Sequence, residues 1–133
     1  AGRTTSVALV KAYLARIEAI DQRGPRLQSV LVLNPDALRQ AQALDDELRQ
    51  RGARGPLHGI PIALKDNIQT TNMPTTGGAL AFAGLVPAHE ATLTTRLRRA
   101  GAVIIAKTVM TELANWVAGS PTPMPCGNCS SGG

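Results

Sequence analysis

Apolar positions in the stretch TSVALVKAYLARIEAID, residues 5–21, recur at helical spacing, placing Leu9, Val10, Tyr13, Leu14, Ile17 and Ile20 on one face. Thr5 or Ser6 is placed to cap this helix, since a side-chain oxygen there satisfies an orphan amide of the first turn. Gly24-Pro25 ends it. The short, branched run LQSVLVL, residues 27–33, predicts a strand. Asn34-Pro35-Asp36 then combines a cap, a first-turn proline and an early acid, the signature of a helix start. The pattern carries that helix to about Gln50 and assigns Leu38, Ala41, Leu44 and Leu48 to its buried side.

A glycine-rich loop, RGARGPLHG, leads into IPIAL, residues 60–64, which reads as a buried strand running out at Lys65. A polar loop follows from Asp66 to Thr76, and Gly77-Gly78 opens a stretch of small residues. The next helix runs from about Glu90 to Arg99, presenting Leu93 and Leu97, and Gly101 closes it. AVIIA, residues 102–106, is a strand leading to Lys107, after which Thr108 or Thr111 can cap a short helix over TELANW. Beyond Trp116 the chain turns loop-like, with Pro121, Pro123 and Pro125 close together. Helices alternating with apolar strands predict an α/β layered fold with a partly parallel sheet flanked by helices. A sheet of so few strands has uncovered edges, so it reads as part of something larger, or as one that pairs between copies as a homo-oligomer.

The totals narrow this picture. A chain of 133 residues with 44% hydrophobic and 17% charged residues predicts a single globular domain over residues 1–133. With aromatics at 2%, its core must be built from Ala, Leu, Val and Ile. The net charge of +5 comes from scattered arginines without interleaved aromatics, which argues against nucleic acid as a partner. The one dense cluster, Arg96, Arg98 and Arg99, sits near a helix end, where cations suit the helix dipole and solvent. No apolar run reaches the ~20 residues of a membrane span, so no membrane is expected as a partner. No signal peptide pattern is visible, and two cysteines make no disulfide framework; the expected setting is a reducing cytoplasm.

Three groups carry candidate chemistry. Lys65 stands at the carboxyl end of a buried strand, where α/β sheets usually bind ligands. Held in a desolvated pocket it would act as a general base; the structural reading is a surface lysine paired with Asp66. Ser130-Ser131-Gly132-Gly133 offers hydroxyls beside glycines that let backbone amides face an oxyanion, and reads equally as a flexible linker. Cys126 and Cys129 have Cys-x-x-Cys spacing, suited to redox work or half a metal site, but prolines precede the pair and the histidines, His58 and His89, are unpatterned. His58 reads as a loop or strand-start residue and His89 as a helix-start residue.

Taken in order, HGIPIALKDNI, TTGGALAFAG, TLTTRLRRAGAVIIAKTVMTELANW and SSGG resemble the amidase signature family of serine hydrolases, from the first helix to the last residue. LHGIPIALKDNI and TELANW look most like bacterial amidases acting on small amides and peptide amides. The resemblance implies the N-terminal part of the amidase signature fold, a small-molecule amide substrate, no cofactor and no metal. It also implies a Ser–cis-Ser–Lys triad, in which Lys65 inherits the role of general base and Ser130 that of the middle serine. The family's nucleophilic serine belongs to a Gly-Gly-Ser segment further along, and this sequence stops at Gly133 before one is reached. Acting alone, the short chain would have to use Ser130 or Ser131 as nucleophile with Lys65 as direct base. Asn128 and Cys129 stand where the family usually has glycine, and the segment from Trp116 to Pro125 is shorter than usual. The competing expectation is a non-catalytic fragment that folds or oligomerises without hydrolysis.

Overall fold

The computed structural model of the chain describes residues 4–114. A first helix, α1, spans Ser6–Arg16 and continues as a wider π-helical segment over Ile17–Arg23. Strand β1 (Val30–Leu33), helix α2 (Ala37–Arg51) and strand β2 (Pro61–Lys65) follow. After a long turn region with one short 3₁₀ turn come helix α3 (Thr92–Arg99), strand β3 (Val103–Thr108) and a second 3₁₀ turn at Glu112–Ala114. The strands form one mixed sheet in the order β1-β3-β2. β2 runs parallel to β3 and β1 antiparallel to it, so the expected α/β class with partly parallel pairing is what the chain adopts. β3 is the central strand, and its first five residues are all buried.

Hydrophobic clusters form the two sides of this sheet. Val10 of α1 and Ala37, Ala41 and Leu44 of α2 pack with Val103, Ile105 and Ala106. Leu64, Met73 and Ile104 form the other cluster, with Leu97 of α3 against it. The buried stripe of α2 is rotated from the expected one. Ala37, Ala41, Leu44 and Asp45 face inward, while Leu38 and Leu48 are 40% and 45% exposed. The reason is Asp45, whose carboxylate accepts hydrogen bonds from the Ser6 amide at 2.7 Å and the Val7 amide at 3.0 Å. With Thr5 Oγ1 accepting from the Ala8 amide at 3.0 Å, three orphan amides of the α1 start are satisfied, two of them by another helix. That capture turns a polar residue inward and two leucines outward. α3 is rotated in the same manner: Leu93 is exposed, and buried Thr94 donates to the Gln69 carbonyl at 2.8 Å.

The first strand is shorter than LQSVLVL suggests. Buried Asp21 accepts from the Ser29 amide at 2.6 Å, the Val30 amide at 3.2 Å and the Ser29 hydroxyl. Arg26 and Gln28 have positive φ, so the chain joins the sheet only at Val30. Thr5 caps α1 as expected. The helix ends where Gly24-Pro25 predicts, its last turns widened, and closes through the Gly24 amide on the Ala19 carbonyl at 2.9 Å. Asn34 does the work of starting α2: its Oδ1 accepts from the Asp36 amide at 2.9 Å while its Nδ2 donates to the Ile104 carbonyl at 2.6 Å. Only the first part of TELANW falls within the described residues, as a 3₁₀ turn with Leu113 at φ 50 rather than a regular helix.

Candidate active site

Lys65 is the last residue of β2, in register with Thr108 at the end of β3. Its neighbours on either side, Leu64 and Asp66, are buried, while Lys65 itself is exposed. The backbone around it is closely held. The Asp66 amide donates to the Thr108 carbonyl at 3.0 Å, carrying the parallel ladder one step further, and the Ile68 amide donates to the Lys65 carbonyl at 3.0 Å, closing the turn.

The charge partner expected for Lys65 belongs to a different lysine. Asp66 is 1% exposed, and its Oδ1 lies 3.4 Å from the ammonium of Lys107, a residue with no exposed surface. This replaces the Lys65–Asp66 surface pair. The alternation of strand side chains explains it: Leu64 and Lys107 are register partners on one face, and Asp66 returns to that face, opposite to Lys65. Lys107 Nζ also donates to Thr75 Oγ1 at 2.8 Å and to the Pro74 carbonyl at 3.3 Å. Asp66 Oδ2 accepts from the amides of Thr76 at 3.0 Å and Gly78 at 3.3 Å, and from the Thr76 hydroxyl. Burial pushes the Lys107 ammonium below its ordinary pKa, opposed in part by the charge and hydrogen bond of Asp66.

Sequence reasoning passed over Lys107, although its setting matches that of Lys65: AVIIA then Lys, as IPIAL then Lys. The desolvated lysine is therefore Lys107. Its three donors are taken up by Asp66, Thr75 and Pro74, so it has no direction left from which to accept a substrate proton. Lys65 is the lysine placed to meet something else. Ser130 and Ser131, like Cys126 and Cys129, lie outside the described residues.

Gly77-Gly78 shapes the far side of the turn. Gly78 has φ +74, and a β-carbon on it would sit 2.7 Å from the Met110 carbonyl oxygen. The Leu113 amide donates to the Gly77 carbonyl at 2.7 Å, so the loop after β2 and the segment after β3 lie against each other. Beside them opens a cleft of about 510 Å³, lined by residues that include Asn67, Gln69, Thr76, Phe82, Leu85 and Met110. Amide and hydroxyl groups thus share one concavity with apolar side chains, within two residues of Lys65.

Elsewhere the polar residues serve the framework. His58 donates through Nε2 to the Leu44 carbonyl, at 2.9 Å, and accepts from the Arg54 amide at Nδ1, at 3.2 Å, which suits its reading as a loop residue. Arg98 is not a solvated helix-end cation. Its guanidinium bonds Glu90 at 2.8 Å, Asn72 at 2.9 Å and Gln40 at 3.2 Å, tying α3 to α2 and to the loop after β2. Arg96 and Arg99 are exposed.

The fold matches those of known proteins. The Amidase family profile matches residues 8–130. The chain belongs to the Amidase family, and its fold is the N-terminal portion of the α/β amidase architecture. A glutamyl-tRNA(Gln) amidotransferase subunit of Streptomyces coelicolor is 44% identical over 115 residues, which is 85% of this chain and 22% of that protein. The crystal structure of peptide amidase from Stenotrophomonas maltophilia superimposes with a TM-score of 0.83 at 52% identity, covering 86% of this chain and 23% of the amidase. A fatty acid amide hydrolase structure gives a TM-score of 0.73 at 30% identity, covering 82% of this chain and 19% of its own. The chain thus spans about a quarter or less of the length of these relatives. Among the described residues, no helix is long and apolar enough to cross a membrane.

Proposed function

We propose that this chain carries the lysine-bearing part of an amidohydrolase that cleaves a carboxylic amide to acid and ammonia or amine. The observation that carries this reading is the placement of Lys65: exposed at the carboxyl end of β2, a strand that buries only Leu64 rather than the whole expected run, on a backbone held from both sides, two residues before Asn67 of the mixed polar and apolar cleft. In the proposed reaction the neutral amine of Lys65 takes a proton from Ser130 as Ser130 takes one from the nucleophilic serine. The serine oxygen attacks the amide carbon, the proton passes to the leaving nitrogen, and the C–N bond breaks. Water then cleaves the ester left on the serine. The chemistry needs no cofactor and no metal. Peptide amides are the favoured substrate class, because 52% identity to a peptide amidase exceeds the 44% shared with the amidotransferase protein over a similar share of the chain.

Release of ammonia from a C-terminal peptide amide, by the complete encoded protein and by its Ser130→Ala variant, tests the reading. The expected result is release that depends on Ser130; equal release by both proteins overturns it. The second reading, a fragment that folds or oligomerises without hydrolysis, draws on the sheet itself. Among the described strands β1 and β2 each pair with β3 alone, and Leu31 and Leu33 of β1 are exposed. A sedimenting oligomer that takes up no serine-reactive probe and releases no ammonia is the outcome that favours it.

A further inference from the structure

The strongest feature that the proposed chemistry leaves unused is the buried ion pair beneath Lys65. Asp66 and Lys107 are both essentially without exposed surface, and burying two charges is costly unless every lone pair and proton is used. Asp66 collects the amides of Thr76 and Gly78 and the Thr76 hydroxyl, and Lys107 collects Asp66, Thr75 and the Pro74 carbonyl. The two side chains gather the loop 74–78 onto the residue that follows Lys65, the Gly77 amide adding a bond to the Asp66 carbonyl at 3.2 Å. A hydrophobic pair of the same volume would fill the space, but would leave the Thr76 and Gly78 amides without this acceptor.

We propose that Asp66 and Lys107 are the positioning pair of the amidase site: they clamp the loop 74–78 to the end of β2 and so fix where Lys65 presents its amine. Neither touches the substrate. Lys107 supplies the counter-charge that lets Asp66 stay buried, Asp66 supplies the acceptors that order the loop, and Lys65 is oriented through the backbone between Leu64 and Asp66. The inference rests on Lys65 being the base. A displacement of about 1 Å at a reacting group costs on the order of a hundredfold in rate, which sets the size of effect to expect.

The test uses the complete encoded protein, with active sites counted by titration with a serine-reactive acylating probe, so that unfolded molecules drop out of the rate. Lys107→Met removes the counter-charge. Thr75→Val, nearly isosteric, removes one acceptor of the Lys107 ammonium and serves as the milder variant should Lys107→Met fail to fold. Both are expected to lower kcat per titrated site, Lys107→Met by about a hundredfold and Thr75→Val by less, with KM for a peptide amide little changed. Asp66→Asn combined with Lys107→Met removes both charges and is expected to recover part of the loss. A role confined to stability would lower the melting temperature and the number of titrated sites but leave kcat per site unaltered, and that result overturns the proposal. Lys65→Ala, run alongside, separates the two claims. If it retains full kcat, the base assignment falls and the positioning role with it; if it abolishes turnover while Lys107→Met and Thr75→Val do not slow it, only the positioning pair is refuted.

Discussion

At the scale of single residues, two lysines with the same sequence setting have opposite fates. Lys65 and Lys107 each end a run of five mainly apolar residues, and pattern alone does not separate them. The difference lies in which face each occupies at the sheet's edge. Lys107 falls on the side that Asp66, Thr75 and Pro74 close over, and Lys65 on the other. Register between β2 and β3 decides this, and register depends on a bulge opposite Ile62 and Ala63 that no local signal announces. The strand-end position of Lys65 was therefore legible in the motif, while the buried pair beneath it was not.

Glycines give a residue-scale test of the packing. Gly59 has φ +75, and a β-carbon there would lie 2.0 Å from Ser6 Oγ. Gly55 has open space around it. Gly59→Ala is expected to lower unfolding stability by about 2 kcal/mol or more, with Gly55→Ala close to neutral, as read from urea denaturation midpoints.

At the scale of elements, every helix and strand expected between residues 5 and 108 is present, and the misjudgements concern ends and faces. β1 starts late because Asp21 holds the Ser29 and Val30 amides. α2 turns Leu38 and Leu48 outward because Asp45 caps a helix remote in sequence. Both causes are long-range hydrogen bonds to carboxylates, and periodicity carries no information about those. Asn34 is another such joint, since its side chain bonds β3, the start of α2 and Asn72 together. Asn34→Ala leaves the buried Ile104 carbonyl without this donor and is expected to cost about 2–3 kcal/mol, measurable as a lower thermal midpoint. Asn34→Asp keeps the acceptor toward the Asp36 amide but sets a buried carboxylate oxygen against the Ile104 carbonyl, and a loss at least as large as that of Asn34→Ala is expected.

At the scale of the whole molecule, the same buried carboxylates set the response to acid. Burial alone would raise the pKa of Asp21, but hydrogen bonds from the Ser29 hydroxyl and amide, the Val30 amide and Gln22 outweigh it and hold the value below the ordinary carboxylate range. Asp45 is held low in the same way, burial being overcome chiefly by the Val7 and Ser6 amides. A carboxylate with a lowered folded pKa adds stability that is complete above its unfolded value, about 3.9, and is lost as pH falls through the folded value. The thermal midpoint is therefore expected to be flat from neutral pH down to about 5 and to fall steeply below about 4. In Asp45→Asn the midpoint at neutral pH is lower and the acid decline shallower. A decline of equal steepness in that variant would show that Asp45 is not one of the groups responsible.

The molecule's functional claim comes down to the amine of Lys65. The measurement that tests it most directly is kcat for ammonia release from a peptide amide, per folded molecule, in the complete encoded protein and in its Lys65→Ala variant. General-base catalysis contributes about 10²–10⁴-fold, so a loss of at least that size is predicted, with the folded fraction unchanged because Lys65 is exposed. Equal kcat in the two proteins would contradict the account.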